Sequence, residues 1–564
     1  MVSVLLNWSY ILVTAFLTGF GLRALVDRLF QYKIKEAGSI VAMGLMAVTV
    51  YAQIFSLFYK VGLAANLILV VICLVIAVKE RRAIAEVIGT AWKGRGTGWK
   101  LLMAVSVIVW SYCTSRGYMH YDSDLYHAQS IRWIEEYGIV KGLGNIHVRF
   151  AYNSSFFALS ALYSMKFLCG VSLHAVNGFI AVLLWTEVMK LFQSHKNRRT
   201  MVTDFARFGA LYYLTIVYSG IVAPASDYAI MCVVFFIIIK WLELLEKDVP
   251  DIPPYALLCV AGVYAVTLKL TAGLILILLI KPASMLIRER KWKDIGSYLL
   301  MGVVTLFPWM ARTVIISGYL LYPFPSLDIF QVDWKIDAAA AALDAAEIKT
   351  WGRGIENAAL VDLPVSEWIT NWFQNTLPGI GKLLIVADVM CLLLMVVLIV
   401  RFLHNRDQNP LYNGQLLVLV TVAVSYLFWQ LSAPLLRYGY AYVLLVVMIT
   451  VGIVYDLFAK FMEKRQKQQI LKTMRVLAVA LLVLFCLAKT VSLVRYVQDE
   501  SGKDAYVWQQ DYGRYELESY EVNGVLFYYS TNGDRTGYDS FPSLPRQTQI
   551  CFRGQGIADG FREP

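Results

Sequence analysis

The sequence predicts an all-α polytopic membrane protein with about fourteen transmembrane helices, extracytoplasmic juxtamembrane helices and a small extracytoplasmic C-terminal domain. Three observations carry this. Of 564 residues, 58% are hydrophobic and 16% charged, whereas a soluble domain carries roughly 45–50% apolar and about 25% charged residues. The apolar residues gather in runs such as 61–78, 174–192, 228–245 and 382–400, close to the ~20 residues that cross a hydrocarbon core. Basic residues cluster between alternate runs, as cytoplasmic loops do.

The expected spans are 4–22, 39–58, 61–78, 101–115, 174–192, 206–222, 228–245, 254–268, 271–287, 296–316, 382–400, 414–431, 438–458 and 474–496. Residues 1–496 form the transmembrane module and 497–564 the C-terminal domain. Basic clusters then fall on one side: Arg23 to Lys35, Lys79 to Lys100, Lys196 to Arg199, Arg288 to Lys293, Arg401 with Arg406, and Lys460 to Lys472. This alternation requires 152–170, apolar but interrupted by Asn153, Ser154, Ser155 and Lys166, to lie beside the membrane or re-enter it. The 116–173 and 317–381 loops and the tail then share the extracytoplasmic face. Short strands are expected at Val525–Tyr529 and Gln549–Arg553. No cleavable signal peptide opens the chain, because no basic segment precedes its first apolar run.

The net charge of +11 reads as inside-positive loops, with no nucleic-acid partner. Most of the eight Cys lie in apolar runs without paired spacing, so neither a disulfide framework nor a cysteine metal site is expected. Aromatic residues, 14% of the chain, suit interfacial belts.

The segment RGYMHYDSDLYHAQSIRWIEEYGIVKGLGNIHVRFAYNSS, residues 116–155, concentrates the polar chemistry. After Ser123 the pattern turns helical, with Leu125, Ala128, Ile131 and Ile134 on one face. Asp122 or Ser123 is the expected N-cap, and Gly138, Gly142 and Gly144 end the helix. A carboxylate near an acceptor hydroxyl can take its proton during substitution at a sugar carbon, which makes Asp122 and Asp124 candidate catalytic residues. His120, His127, Arg132, Asn145, His147 and Arg149 surround them, the last five as candidate substrate contacts. A divalent metal on Asp122, Asp124, His127 and His147 is not favoured, because no tight ligand spacing supports it. No cofactor is expected.

Three cations break the inside-positive pattern: Lys269 in VTLKLTAG, Arg312 in PWMARTVIIS and Arg437 in APLLRYGYAY. Charges at membrane depth need a partner or a task. A lipid-linked phosphosugar would supply one, its phosphate held at headgroup depth. Residues 317–381 add an Ala-rich helix at 338–348, Arg353, and Trp334, Trp351, Trp368 and Trp372 as stacking candidates or interfacial anchors.

Together YDSDLYHAQSIRWIEEYGIVKGLGNIHVRFAYNSS, TLKLTAG, PWMARTVIISGYLLYPFPSLDIFQVDWKI, WGR, SAPLLRYGYAY and RGQGIADGF resemble the GT-C class of membrane glycosyltransferases, and more closely a bacterial branch of polytopic proteins assigned to it. The resemblance spans roughly residues 110–560. It implies a polyprenyl-phosphate sugar donor, an acid of the first large outer loop as general base, and an inverting displacement. Carried over, Asp122 is the base, with Asp124 second, and Lys269, Arg312 and Arg437 contact the donor phosphate. The chain departs from the class in having three spans before residue 101, and from the branch in having Thr313 where Asn often follows the Arg.

The expectation is therefore a bacterial plasma-membrane transferase that moves a sugar from a lipid-linked donor to a cell-envelope acceptor, a glycan, glycolipid or protein. Two alternatives stay open. A lipid-linked polysaccharide polymerase or ligase would lean on Arg and His of a large late loop. A transporter would carry a central polar pathway and repeated halves, and no internal repeat is evident.

Overall fold

The computed structural model describes residues 1–93, 95–192, 200–404, 410–500 and 506–564. The basic residues Lys196, Arg198, Arg199 and Arg406 lie outside the described residues. The helices of the first half are α1 Val2–Phe30, α2 Ala37–Ser56, α3 Leu63–Lys79, α4 Arg81–Lys93, α5 Thr97–Ser115, α6 Ala128–Tyr137, α7 Ser155–Tyr163, α8 Lys166–Cys169, α9 Val176–Val188, α10 Val202–Val217, α11 Ser226–Glu246 and α12 Ile252–Leu268. Those of the second half are α13 Ile280–Arg288, α14 Trp292–Ser317, α15 Ala338–Gly352, α16 Val365–Asn371, α17 Gly379–His404, α18 Pro410–Ser432, α19 Leu436–Lys464 and α20 Gln468–Glu500.

Among the described residues, nine helices are long and apolar enough to cross a membrane: α1, α2, Leu270–Arg288, α11, α14, α17, Gly414–Ser432 of α18, α19 and α20. The chain is thus a mostly helical, multi-pass protein. Every expected span coincides with a helix, but not every helix is long enough. α9 has 13 residues and α10 has 16, below the ~20 of a full crossing. α3 continues into α4 only through an 84° bend. Segment 152–170 forms α7 and α8, broken at Met165 with φ 54°.

Small residues set the closest helix contact. A Cβ on Gly44 would lie 1.6 Å from the Ala15 carbonyl oxygen, and one on Gly19 would lie 2.1 Å from that of Ile40. α1 and α2 therefore pack backbone to backbone, as small residues allow in membranes. α20 has no buried residue and α17 few, so their apolar faces suit lipid.

One end of the bundle is tied by ion pairs. Glu187 meets Lys190 at 2.7 Å and Lys240 at 2.7 Å, and Arg207 meets Glu243 at 2.5 Å. The opposite end gathers the N-terminus, both long loops and the tail. Val2 and Ser3 donate backbone bonds to Tyr506 and Val507 at 3.0 and 2.9 Å.

The tail carries β1 Leu517–Val522, β2 Val525–Ser530, β3 Ser543–Leu544, β4 Cys551–Phe552 and β5 Phe561–Arg562. β1 and β2 pair antiparallel around Asn523-Gly524, whose φ values of 51° and 79° suit a tight two-residue hairpin. β3 joins β2 in parallel, and β4 pairs with β5. Phe527, Leu544, Phe552 and Phe561 share one core with Trp133, Leu143 and Phe150 of the first loop and Ile336 of the second. Burying those rings together fuses tail and loops into one unit.

Candidate acidic site at the loop end of the bundle

The first loop enters its helix through a π-turn, Ser123–His127, before α6. Such turns insert an extra residue and often sit at functional sites. Leu125, Ala128, Ile131 and Ile134 are buried, as their spacing predicts, and Gly138 ends the helix at φ 77°. Asp122 stands at the N-cap but makes no side-chain capping bond. Its carboxylate accepts instead from Arg437 at 2.7 Å, a charge-assisted bond stronger than a neutral cap.

Arg437 opens the first turn of α19 and gathers the site. Its Nε lies 3.7 Å from Asp227 Oδ2, its Nη2 donates to the Tyr438 hydroxyl at 2.9 Å, and its Nη1 donates to the His120 ring. Asp227, in the first turn of α11, takes Lys269 on its other oxygen. The Lys269 ammonium stands 3.4 Å from the centre of the Tyr438 ring. Two carboxylates, two cations, an imidazole and a phenol from the first loop, α11, the end of α12 and α19 thus meet at one point.

Burial pushes the Asp122 carboxyl up, but Arg437, then His127, His120 and Arg149, more than offset it and hold it below the usual carboxylate range. Asp122 is therefore ionised at neutral pH. Burial, then Arg437, lower the His120 imidazole, leaving a neutral ring. Burial also lowers His127 to about 3; its ring lies against Tyr126 at 4.4 Å and Phe157 at 5.2 Å.

Arg149 flanks the site. It covers Trp351 at 4.7 Å and stands in the fields of both Asp122 and Asp344 of α15. Asp344 accepts from the hydroxyls of Tyr152 and, at 3.1 Å, Tyr322. Burial raises its carboxyl.

Other candidates lie elsewhere. Asp124 faces away from Asp122 and accepts from the tail, Gly513 N–H at 3.1 Å and the Tyr515 hydroxyl at 2.8 Å. Arg132 donates to the Tyr538 and Asp539 carbonyls at 2.5 Å each. Asn145 donates to the Trp334 carbonyl at 2.9 Å, bracing one loop on the other. Trp334 donates to the Val314 carbonyl and lies under Lys141 and Arg553, 5.7 and 5.0 Å from its ring. The His147 ring meets Phe150 edge-on at 5.1 Å.

Arg353 donates to the Val361 and Leu431 carbonyls and covers Trp368 at 4.5 Å. Trp368 and Trp372 are each 1% exposed, so they pack the core and cannot stack on a sugar. Arg312, 3% exposed, donates to Asn153 at 3.0 Å, to Ser56 and to the Gly138 carbonyl. The cavity beside it measures about 20 Å³, room for about one water and none for a phosphate. Enclosure thus makes Arg312 a brace between loop and bundle. Among the described residues, no group of three or more His, Cys, Asp or Glu could hold a metal ion.

The chain belongs to the family described as Domain of unknown function (DUF8201). The match covers residues 1–444, so it takes in Asp122, Asp227, Lys269, Arg437 and Asp344 and leaves out the tail. No curated protein and no solved structure matches the chain.

Sequence reasoning found three members of the site and missed Asp227, Tyr438 and Asp344. Asp227 had a usable signal. Lys269 and Arg437 are cations at membrane depth, such cations need acidic partners, and the acid opening an apolar run in IVAPASDYAI was available.

Proposed function

We propose that this protein is a GT-C-like glycosyltransferase of the bacterial plasma membrane, with all fourteen expected helices in the membrane and its site on the extracytoplasmic face. It moves a sugar from a polyprenyl-phosphate carrier to a cell-envelope acceptor. The observation that carries the reading is the bridge from Asp122 through Arg437 to Asp227 and Lys269. It joins a candidate base to two of the three cations expected to hold phosphate, at the loop end of the bundle.

The chemistry follows from charge. The donor is a phosphodiester with one negative charge. As the acceptor oxygen bonds to the anomeric carbon, the bond from that carbon to the phosphate oxygen breaks and its electron pair leaves with the polyprenyl phosphate. The acceptor proton passes to Asp122. Arg437 and Lys269 take up the charge that grows on the departing phosphate. They act more strongly in the transition state than in the ground state, as rate acceleration requires. His120 and Tyr438, hydrogen-bonded to Arg437, fix the guanidinium plane.

The test is purified full-length protein in lipid, given a panel of polyprenyl-phosphate monosaccharides and a cell-envelope acceptor extract, with donor consumption followed. Consumption by the wild type that is absent in Asp122→Asn is the expected outcome. Donor consumption undiminished in a folded Asp122→Asn variant would remove Asp122 as the base.

A further inference from the structure

The tail lies outside the family match, yet it grips the helix that carries Asp122 along its whole length. Segment 534–543 runs beside residues 121–135. The Tyr121 hydroxyl bonds Asp534. Gln129 donates to the Gly537 and Ser540 carbonyls at 2.9 Å each and accepts from Ser543 N–H at 3.2 Å. Arg132 donates to the Tyr538 and Asp539 carbonyls, and Glu135 accepts from the Tyr538 hydroxyl.

Asp124 is the densest point of this grip. Its backbone oxygen accepts from the Thr536 and Gly537 amides at 2.9 Å each. Its carboxylate accepts from Gly513 and Tyr515. The residue is 4% exposed, and a Cβ on Gly513 would lie 2.7 Å from Asp124 Oδ2, so only glycine lets the tail come this close. Four bonds therefore fix a residue two places from Asp122, inside the π-turn Ser123–His127.

We infer that the C-terminal tail is a positioning device for the acidic site, with Asp124 as its pin and Tyr515 and Gln129 as the other positioning residues. The pin sets the π-turn so that Asp122 faces Arg437. Phosphate-holding Arg437 and Lys269 come from α19 and the end of α12, and the tail touches neither among the contacts described. Loosening the pin should misplace the base while leaving the anion seat intact. This inference rests on the transferase reading for its catalytic part only.

The experiment uses full-length protein in lipid and compares wild type, Asp124→Ala, Asp124→Asn and Tyr515→Phe. Three quantities are read: amide exchange of residues 121–131, affinity for a polyprenyl phosphate, and kcat with the donor that the wild type turns over. Asp124→Ala should raise exchange in 121–131 about tenfold or more and lower kcat by about ten- to a hundredfold, as misplacement by about 1 Å does. Polyprenyl-phosphate affinity should not fall, since a loosened Asp122 competes less for Arg437. Asp124→Asn keeps an acceptor for Gly513 and should retain most of kcat; Tyr515→Phe should fall between.

Unchanged exchange in Asp124→Ala would overturn the pin. Faster exchange with unchanged kcat would overturn its catalytic role. A fall in affinity matching the fall in kcat would make Asp124 a general structural residue and overturn positioning as well. Faster exchange in a protein whose wild type turns over no donor would sink the transferase reading and leave the pin as a property of the fold.

Discussion

Arg437 reaches the Asp122 carboxylate at 2.7 Å although 315 residues separate them in the chain. Asp122 thus occupies one face of the cation proposed to hold phosphate. In the proposed reaction a bound phosphate competes with it for the guanidinium, and the displaced carboxylate is then free to act as base.

That competition makes Asp122→Asn an unusual variant. Turnover should fall by about 10²–10⁴, the range for a general base. Affinity for a polyprenyl phosphate should rise, by about fivefold if the pair contributes about 1 kcal/mol. Titration of labelled polyprenyl phosphate against both proteins in lipid checks this. Weaker binding by the variant would mean that Asp122 supports the anion seat rather than competing for it.

Arg437→Lys tests the fork. A lysine presents a point charge and cannot reach Asp122, Asp227, His120 and Tyr438 from one plane. The variant should lose stability and bind polyprenyl phosphate more weakly. Arg437→Gln should lose more, about 3–5 kcal/mol, because the Asp122 carboxylate loses its cation while Asp227 keeps only Lys269. Adding Asp122→Asn to Arg437→Gln should recover part of that loss, since the two residues share one network. Thermal unfolding of the four proteins in one detergent measures the coupling, and strictly additive losses would contradict it.

These partners mark where the sequence was legible. Apolar runs placed a helix at every expected span, because hydrophobic length survives in one dimension, and gave no sign of the polar α4 or the short α16. Lys269 and Arg437 stood out because a charge at membrane depth is costly wherever it lies, and Asp122 because it sits in the loop that concentrates the polar chemistry. Asp227 and Asp344 did not, because one opens an apolar helix, the other sits inside an Ala-rich one, and each gains meaning only from partners elsewhere in the chain. Asp124 stood second to Asp122 as a candidate base in DSD; a π-turn turns Asp122 toward Arg437 and Asp124 toward Tyr515. Trp368 and Trp372 looked like surface aromatics because nothing local reveals that Arg353 and the Pro434 carbonyl close over them. Arg312 looked like a phosphate ligand until Asn153 and Ser56 enclosed it.

His147 gives a pH test. Burial, then Arg149, lowers its imidazole to about 3, and its Nε2 has no hydrogen-bond partner among the described residues. An unfolded histidine titrates near 6.5. The folded value is depressed, so below about pH 6.5 the unfolded chain binds more protons and stability falls as pH falls toward 3. Each such histidine contributes a slope of about 1.4 kcal/mol per pH unit in that window. His147→Phe, which keeps an aromatic ring against Phe150, should flatten the wild-type dependence between pH 6 and pH 4 by about that slope. It should leave donor turnover at neutral pH unchanged, because His147 touches none of the site. Parallel slopes in melts of the two proteins would refute the buried neutral imidazole.

Arg312 separates a brace from a ligand. Its guanidinium is enclosed, with amide, hydroxyl and carbonyl oxygens as acceptors. Arg312→Met fills similar volume but strands the Asn153 and Gly138 oxygens, at a cost of about 1–3 kcal/mol. Asn153 also donates to the Trp309 carbonyl and the Thr313 hydroxyl at 2.8 and 3.0 Å, so the damage should stay at the junction of α7 and α14. Polyprenyl-phosphate affinity should then change by less than about twofold, against a marked loss in Arg437→Lys. Measuring both variants with the same lipid decides it. An affinity loss in Arg312→Met as large as that in Arg437→Lys would mean that the junction opens when lipid binds and that the enclosed guanidinium becomes a phosphate contact.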